Sequence, residues 1–483
     1  MRQVSRGLDR IEVLFDEPNL VANAGLLLVS TLVARLGLEA LINSTLRLTG
    51  RVGGALPGRK VLSLVHAIVA GASHIDHVEL LRAGATKAVL PHRVMAPSTL
   101  GTFLRSFTFG HVRQLDQVIA ETLRRAWALG AGPKGRLVLD VDSTICRVEG
   151  NNKQGASYGY TKVLGYHPLL GTRADTGEVL HARMRKGSAN TARGARRFVE
   201  ELVARCRRGG AAGEIVLRVD SGFWSNDTIK TLVRLGVSYT MAVRTGNRAI
   251  AKAIAGIEED AWVAIDYTED GIAEVAETTY KERRLVVRRT RLVGAQEKLW
   301  PDWRHFAFLT DLDGTAVELD AFHRDHARVE LAIKDLKEGA GMEHVPSGHF
   351  FANSAWLCCA VLAHDLVRWC AFLGGIVDND ELTVTRTLRT RYFSVPARLV
   401  NHSGILKLRG PAKWPWANTF IKALGNFASS ISISLLAERP SRTGAAADVH
   451  PCADNQAEQD SLIDHAPTAV DRHPRGPSAA TAL

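Results

Sequence analysis

Cysteine is scarce in this sequence, with six in 483 residues. No two of them are spaced as CxxC, and no CxxC…HxxxH pattern occurs, which leaves a zinc finger without support. So sparse a set does not suit a small disulfide-linked secreted domain either. We therefore expect free, mostly buried thiols and a reducing, cytoplasmic compartment.

The sequence also lacks a charge-free apolar run long enough to span a membrane. Its two longest apolar stretches, residues 20–42 and 354–377, carry Arg35 and Asp365 among other polar side chains, and charges within a span are costly. The N-terminus has early acidic residues and no apolar core typical of signal peptides. We interpret both stretches as buried amphipathic helices and expect no membrane partner.

Acidic residues are fewer than basic ones, and the imbalance is uneven along the chain. Lys and Arg number 61 against 50 Asp and Glu, a net charge of +11. Residues 441–483, rich in Ala, Pro, Asp, Gln and Ser, hold three basic and six acidic residues and so carry −3, which leaves +14 on the preceding 440. This composition predicts a disordered tail, and the basic body favours a polyanionic partner such as nucleic acid.

Residues 1–130 have apolar side chains at helical spacing and are predicted to form a helical, DNA-binding region. Within it, Pro97 followed by a serine and a threonine marks a helix start. Helices of this size in a basic chain suit a helix-turn-helix motif that turns Arg105 and Arg113 toward DNA. An ordinary helical bundle explains the pattern equally well, because no residue here specifies groove reading.

From residue 131 to 246 the hydrophobic period changes from helix to strand. The run Arg136–Asp142 (RLVLDVD) alternates, and the following segments predict the order strand, strand, strand, helix, strand, helix, strand. That order is typical of an α/β, ribonuclease H-like core, in which carboxylates gather at strand ends. We predict a small β-rich inserted domain over 247–304, the second part of the core over 305–375, and a C-terminal region over 376–440.

Two aspartates end apolar strands of this predicted core. Asp142 follows RLVLDV and Asp220 follows IVLRV. A carboxylate at the end of an apolar strand is costly unless it binds something, and two on separate strands are stronger evidence than one. Asp140 lies on the same strand face as Asp142 but one pleat further in, and we interpret it as support for the ligands rather than as a ligand.

A third carboxylate comes from a helix predicted over Glu318–Glu338 and closed by Gly339. Five polar side chains of this helix share an arc of about 80°, at about 100° per residue, beside an apolar stripe that can pack on the sheet. The helix would then aim its glutamate across the strand ends, although a solvated charged face is an alternative. The five residues are His323, His326, Glu330, Lys334 and Lys337.

Together these segments resemble a known family. LDVDST around Asp142, LRVDSGF around Asp220 and the helix with Glu330-x6-Lys337 look like the three acidic motifs of the DDE transposases of bacterial insertion sequences, in particular insertion sequence family 1380. The resemblance spans about residues 130–375. It implies that Asp142, Asp220 and Glu330 are the catalytic residues and the ligands of two Mg²⁺ ions, for which Mn²⁺ would substitute.

The resemblance also implies an activity and its partners. A transposase of this kind binds the terminal inverted repeats of its element on double-stranded DNA, cleaves the strands and joins the 3′-OH ends to target DNA. It acts as a homodimer on DNA, in a cytoplasmic, nucleoid-associated location. In the family helix, His323 and His326 stand where a tyrosine and an arginine are usual. The DNA-binding candidates are Lys337, Lys334, His323, His326, Trp300, Trp303 and Arg105.

Three other functions fit parts of the pattern. A ribonuclease H-like nuclease would cleave without joining, and a transposase-derived DNA-binding protein would do neither. A local metal site of His323, His326 and Glu330 has no HExxH pattern beside it. Trp300 and Trp303, just upstream of the helix, suit either stacking on an extruded base or packing within the insertion.

Overall fold

The structure of this chain is a computed structural model. The described residues fall within one compact unit that extends to Ser432. Trp300 and the tail 441–483, for which the sequence predicts a DNA contact and disorder, lie outside the described residues. The structure describes residues 11–150, 152–159, 161–190, 192–267, 271–292, 303–377 and 383–428.

The N-terminal part is mainly helical, as the sequence predicts. A helix begins at Pro97, because the fixed φ of proline suits the first turn, where no helical N–H bond is lost. Several of these helices pack against a long helix from the C-terminal half of the chain. The elements are β1 (Leu20–Val21), α1 (Leu26–Arg35), α2 (Leu38–Thr45), α3 (Pro57–Val69), α4 (Pro97–Arg105) and α5 (Phe109–Ala126).

The next part of the chain has the predicted alternation of strands and helices. The apolar run before Asp142 forms its first strand, while the second strand of the predicted order is divided into short pieces. The elements are β2 (Leu137–Ser143), β3 (Cys146–Arg147), β4 (Ser157–Tyr158), β5 (Leu164–Tyr166), β6 (Leu169–Arg173), β7 (Val179–Arg183), α6 (Ala195–Gly209), β8 (Ile215–Val219), α7 (Asn226–Leu235) and β9 (Ser238–Val243).

Five of these strands form one side of a nine-stranded sheet. β2 pairs antiparallel with β6, which pairs antiparallel with β7. On its other side β2 pairs in parallel with β8, which pairs in parallel with β9. The order is therefore β7-β6-β2-β8-β9. Because β8 is central and covered on both faces, all five of its side chains are buried.

The predicted β-rich insertion extends this sheet instead of forming a small domain of its own. It begins with α8 (Arg248–Ala255), followed by β10 (Val263–Ala264), β11 (Gly271–Tyr280) and β12 (Arg283–Leu292), and β13 (Arg304–Thr310) follows. β11 and β12 form a long antiparallel hairpin, β12 pairs with β13, and β13 pairs with β9. The alternating pattern predicts the strands correctly, but the sheet that they join depends on β9, which is distant in sequence.

Two helices follow the sheet where the sequence predicts one. α9 (Ala316–Arg324) and α10 (Arg328–Gly339) are separated by a single 3-10 turn, Asp325–Ala327, so the prediction of a continuous helix over 318–338 is wrong. A capping box between Thr315 and Glu318 starts α9. α9 covers one face of the sheet, where it shares a small apolar cluster with the strands: Val216, Val275, Val286, Phe308, Leu312 and Leu319.

The longest helix is α11 (Phe350–Leu373), against which α3, α4 and α5 pack. It is long and apolar enough to cross a membrane, but 89% of its apolar window is buried inside the protein. The bent pair α1 and α2, which meet at 57°, passes the same test of length and composition. Burial of α11 agrees with its predicted role as a core helix.

The last described elements include a small second sheet. β14 (Ala397–His402) pairs on one side with β1, so that Leu20 lies opposite Arg398, and on the other side with β15 (Ile405–Arg409). The order of this sheet is therefore β1-β14-β15. A third small sheet has the order β3-β5-β4. The C-terminal elements are α12 (Thr385–Leu388), β14 (Ala397–His402), β15 (Ile405–Arg409) and α13 (Ala417–Ala428).

Candidate active site

The pairing of β2 with β8 brings the two predicted aspartates together. The register ends with Val141 opposite Val219, so Asp142 and Asp220 are the next residues of adjacent parallel strands at the same edge of the sheet. One carboxylate oxygen of Asp142 accepts a hydrogen bond from the amide of Ser143 at 2.6 Å. One oxygen of Asp220 accepts a bond from the amide of Gly222 at 2.9 Å.

Glu330 lies in the first turn of α10, exposed, and within electrostatic range of Asp142. Burial is the largest influence on Asp142 and raises its pKa from 3.8 to about 6. The charges of Asp220 and Glu330 add to this rise, while the Ser143 amide and His326 oppose it. At the end of β2, Asp142 is therefore repelled by one carboxylate that follows β8 and by another on α10.

The residues of this site fit a divalent metal ion. A hard cation prefers carboxylate oxygens, and its charge would relieve the repulsion that raises the pKa of Asp142. The carboxylate oxygens of Asp142, Asp220 and Glu330 do not all lie within 4.8 Å of one another. The arrangement is accordingly more open than a single closed cage of ligands.

Asp140 lies behind this edge, with no exposed surface. It stands opposite Arg218 in the β2–β8 register, and the guanidinium donates two bonds of 2.8 Å, one to each oxygen of Asp140. His326 Nδ1 lies 2.8 Å from one of these oxygens. Both oxygens of Asp140 thus have protein partners, and its contact with His326 ties the start of α10 to β2.

Arg218 also contacts the chain beside the break between α9 and α10. Its Nη1 donates a bond of 2.8 Å to the carbonyl oxygen of Phe322, which in a continuous helix would accept from the amide of His326. The residue was not singled out from the sequence. An arginine inside the apolar strand IVLRV, two positions before Asp220, was the available signal, because a buried charge requires a partner.

A family model described as transposase DDE domain group 1 matches residues 5–431 of the chain. The chain belongs to this family. It is therefore a DDE transposase, a class of enzyme that acts in DNA transposition and recombination. DDE transposases typically use divalent metal ions, in agreement with the carboxylates at the sheet edge.

Two further comparisons add little to this assignment. The chain is similar to the piggyBac transposase in a cryo-EM structure of its synaptic complex with hairpin DNA, at 11% identity, over 88% of this chain and 86% of that chain. The TM-score is 0.41, too low to support an argument about fold or role. No curated protein matches the sequence.

His323 does not fit its predicted role as a DNA contact of this transposase. The side chain is 4% exposed, shares a hydrogen bond of 2.7 Å with Thr240 and stacks on Phe308 with ring centres 4.4 Å apart. Burial holds its pKa well below the ordinary value. His323 thus packs against the sheet. The ligand atoms of His323, His326 and Glu330 do not all lie within 4.8 Å of one another, so the alternative metal site of these three residues fails.

The other predicted contacts on α10 remain open to solvent in part. Lys334 is exposed. Lys337 is half-buried, and its Nζ donates a bond of 2.9 Å to the carbonyl oxygen of Ile145 in the segment after β2. It lines a cavity of about 500 Å³ together with Lys153 and His344. The DNA contacts of Lys334, Lys337 and His326 stay predictions.

The predicted contacts outside α10 have different surroundings. Trp303 faces two guanidinium groups, with Arg289 at 4.4 Å and Arg291 at 5.0 Å from its ring centre. Arg105 is exposed, and its nearest bonding partner is Thr102 of the same helix. Arg113 pairs with acidic side chains of α5 and α6, so the proposal that it turns toward DNA is wrong.

Among the described residues, a single group has the ligand atoms of a metal site within 4.8 Å of one another: Asp116, His181 and Glu201. Arg205 bonds Asp116 at 2.7 Å, and Arg183 is one of three arginines that pair with Glu201. With its charges already neutralised, this group is a buried ion network that joins α5, β7 and α6 and does not require a cation.

Proposed function

We propose that this transposase binds the ends of a bacterial insertion sequence of family 1380, cleaves the DNA strands and joins the 3′-OH ends to target DNA. The observation that carries the proposal is the meeting of Asp142, Asp220 and Glu330 at one sheet edge, in the order of the family's three acidic motifs. The strand order β7-β6-β2-β8-β9, with β6 and β7 antiparallel and β8 and β9 parallel, supports a ribonuclease H-like core.

Asp142, Asp220 and Glu330 would hold two Mg²⁺ ions, with Mn²⁺ as a substitute. Bound there, such ions supply an activated water and stabilise the charge of the leaving oxygen. The amides of Ser143 and Gly222 hold one oxygen of each aspartate and so restrict the rotation of both carboxylates.

Residues around the carboxylates would position DNA. Asp140 and Arg218 hold His326 in the turn before α10, from which its other ring nitrogen would donate to a phosphate oxygen. Lys334 and Lys337 follow on the same helix and would contact phosphates near the cleaved end. Positioning of this kind lowers the barrier because the reacting groups no longer have to be brought together in solution.

The partner of the basic body is double-stranded DNA, both the terminal inverted repeats and the target. A net charge of +14 on residues 1–440 favours release of counterions from DNA, so binding should weaken with salt. Joining two ends at once requires two active sites, which supports a homodimer on DNA. A cytoplasmic, nucleoid-associated location follows from this partner and from the five free, buried cysteines among the described residues.

The test replaces each carboxylate singly: Asp142→Ala, Asp220→Ala and Glu330→Ala. In each variant, the rate of Mg²⁺-dependent nicking and joining of DNA that carries the element's ends should fall by at least ~10³-fold. Catalytic residues that act as a unit depend on one another, so the loss of any one removes most of the activity. DNA binding should stay near wild type, since these residues hold metal rather than phosphate. Nicks and joined products are measured together on denaturing gels.

Glu338→Ala is the matched control, because Glu338 is an exposed glutamate on the same helix. It should keep near-normal activity. Nicking that persists in any of the three variants would show that residue to be wrongly assigned. Nicking by the wild type without joined products would favour a nuclease, and binding without either would favour a non-catalytic DNA-binding protein.

A further inference from the structure

The segment after the active-site helices has an unusual charge distribution. Residues 382–428 contain eight Lys and Arg side chains and no Asp or Glu. Elsewhere the chain mixes both signs, with 61 basic and 50 acidic residues in all. A stretch of this length without a single carboxylate cannot neutralise its own charge, so it presents a positive potential to its surroundings.

Within this segment, β14 and β15 form a two-stranded ribbon joined by a tight turn. Ser403 and Gly404 have positive φ angles of 52° and 79°, as a two-residue turn of type I′ requires. β15 is the edge strand of its sheet, since β14 pairs with β1 on the other side. The ribbon is therefore held at its base by β1 and open along β15.

The two faces of the ribbon differ in character. Leu399 and Leu408 are opposite each other in the register and pack on the main core. The outer face carries the cross-strand pairs Arg398 with Arg409, Val400 with Lys407, and His402 with Ile405. Five of these six side chains are exposed, and only Val400 is half-buried.

The cations of the outer face are largely free of acidic partners. Arg398 pairs with Glu17 at 3.1 Å, an exposed contact that contributes little. No ion pair to Lys407 or Arg409 occurs among the described residues. Further exposed cations flank the ribbon in sequence: Arg386, Arg391, Lys413 and Lys422.

The segment is also fastened to the helix of Glu330. Asp335 on α10 accepts bonds from the amide and hydroxyl of Thr385 at 2.8 and 2.7 Å. Arg389 donates to the carbonyl of Gly339, the last residue of α10. A ligand bound by the ribbon would thus be held by a segment that is fixed to the helix of the active site.

We propose that the outer face of the β14–β15 ribbon binds duplex DNA through the phosphates that border the major groove. This inference rests on the proposed function, in which the enzyme acts on double-stranded DNA. A major groove about 12 Å wide admits a two-stranded ribbon, whose strands lie about 4.8 Å apart. A second copy of the chain is a poorer occupant, because two such faces would bring cations against cations.

The test compares two double variants of the full chain, each of which loses one lysine and one arginine. Lys407→Ala/Arg409→Ala removes the free cations of the ribbon, and Arg208→Ala/Lys230→Ala removes exposed cations of α6 and α7. Binding to a 40-base-pair duplex, with and without the element's end, is followed by fluorescence anisotropy in EDTA over a range of salt.

We expect the ribbon variant to raise Kd about tenfold or more at 0.1 M salt, and to lower the slope of log K against log salt by about 1 to 2. The control variant should change Kd by less than about threefold. Equal loss in both variants, or no loss in the ribbon variant while the wild type binds, would overturn the inference and leave the proposed function intact.

Two further outcomes separate the remaining alternatives. A wild type that binds neither duplex would refute the proposed function, and the ribbon inference with it. If sedimentation shows that Lys407→Ala/Arg409→Ala dissociates a DNA-free dimer while DNA affinity is unchanged, the ribbon is an interface between copies and the inference is wrong. Unchanged thermal unfolding of both variants confirms that exposed side chains were removed without loss of fold.

Discussion

At the scale of single residues, the buried carboxylate of Asp142 lowers the stability of the folded protein when no metal ion is bound. Burial and two neighbouring carboxylates raise its pKa from 3.8 to about 6. The folded state therefore holds a proton that the unfolded chain releases between these values, and stability falls as pH rises through this window. Above about pH 6 the carboxyl group of Asp142 is ionised in both states, and the loss of folding stability is complete.

Asp142→Asn should accordingly stabilise the protein in EDTA at pH 7.5 by ~1–3 kcal/mol, because the amide has no charge to bury and none to repel Asp220 and Glu330. The gain should shrink toward zero near pH 4, where the wild-type carboxyl is protonated. Added Mg²⁺ should raise the unfolding temperature of the wild type but not of the variant. Calorimetric melting at both pH values, with and without Mg²⁺, measures all three effects.

Asp313→Asn is the control for this prediction, since Asp313 is exposed in the loop before α9. It should change stability by less than about 0.5 kcal/mol at either pH. An Asp142→Asn protein that is less stable than the wild type at pH 7.5 would show that hydrogen bonds of the carboxylate outweigh its repulsion.

At the scale of elements, Arg218 on β8 links this strand to β2 and to the end of α9. It pairs with Asp140 across β2 and β8 and donates to the carbonyl of Phe322 at the end of α9. Arg218→Met should destabilise the protein by ~3–5 kcal/mol, because the carboxylate of Asp140 would stay buried without its counter-charge. Urea denaturation measures the loss.

A double-mutant cycle isolates the pair. The double variant Asp140→Asn/Arg218→Met should lose clearly less free energy of unfolding than the two single variants together. Each single change leaves a buried charge without its partner, whereas the double change removes both charges. Arg136→Met is the control: its bond to Glu214, at the start of the same two strands, is exposed and should be worth less than about 1 kcal/mol. Additive losses in the cycle would contradict the assigned role of the pair.

At the scale of the whole molecule, charge is divided between a basic body and an acidic tail. The sequence predicts that residues 441–483 are disordered, and they lie outside the described residues. Removing them should preserve the unfolding temperature and nicking activity, and should tighten non-specific DNA binding by a few-fold at low salt as the net charge rises from +11 to +14. Anisotropy titrations at several salt concentrations test this.

A full-length chain with its six tail acids changed to amides separates charge from length. It should bind DNA as the truncated chain does. If truncation abolishes cooperative unfolding, the tail is part of the folded body and the prediction is wrong.

Local patterns in the sequence were enough to predict much of the local structure and to single out the candidate carboxylates. Alternation in RLVLDVD predicted β2, and the helical spacing of residues 1–130 predicted a helical region. Asp142 and Asp220 could be singled out because polar residues at the ends of apolar strands stand out from their immediate neighbours. These signals are local, so they survive without knowledge of the fold.

Features that depend on contacts between residues distant in the chain could be seen only in the folded structure. Arg218 reaches the carbonyl oxygen of Phe322 from 104 positions away, and His323 is buried against Phe308, contacts that no periodicity within the helix could show. The strands of the insertion join β9 because only the assembled sheet offers them an edge. Hydrogen bonds and ion pairs between remote segments depend on geometry that exists only after folding, so local helical preference cannot predict them.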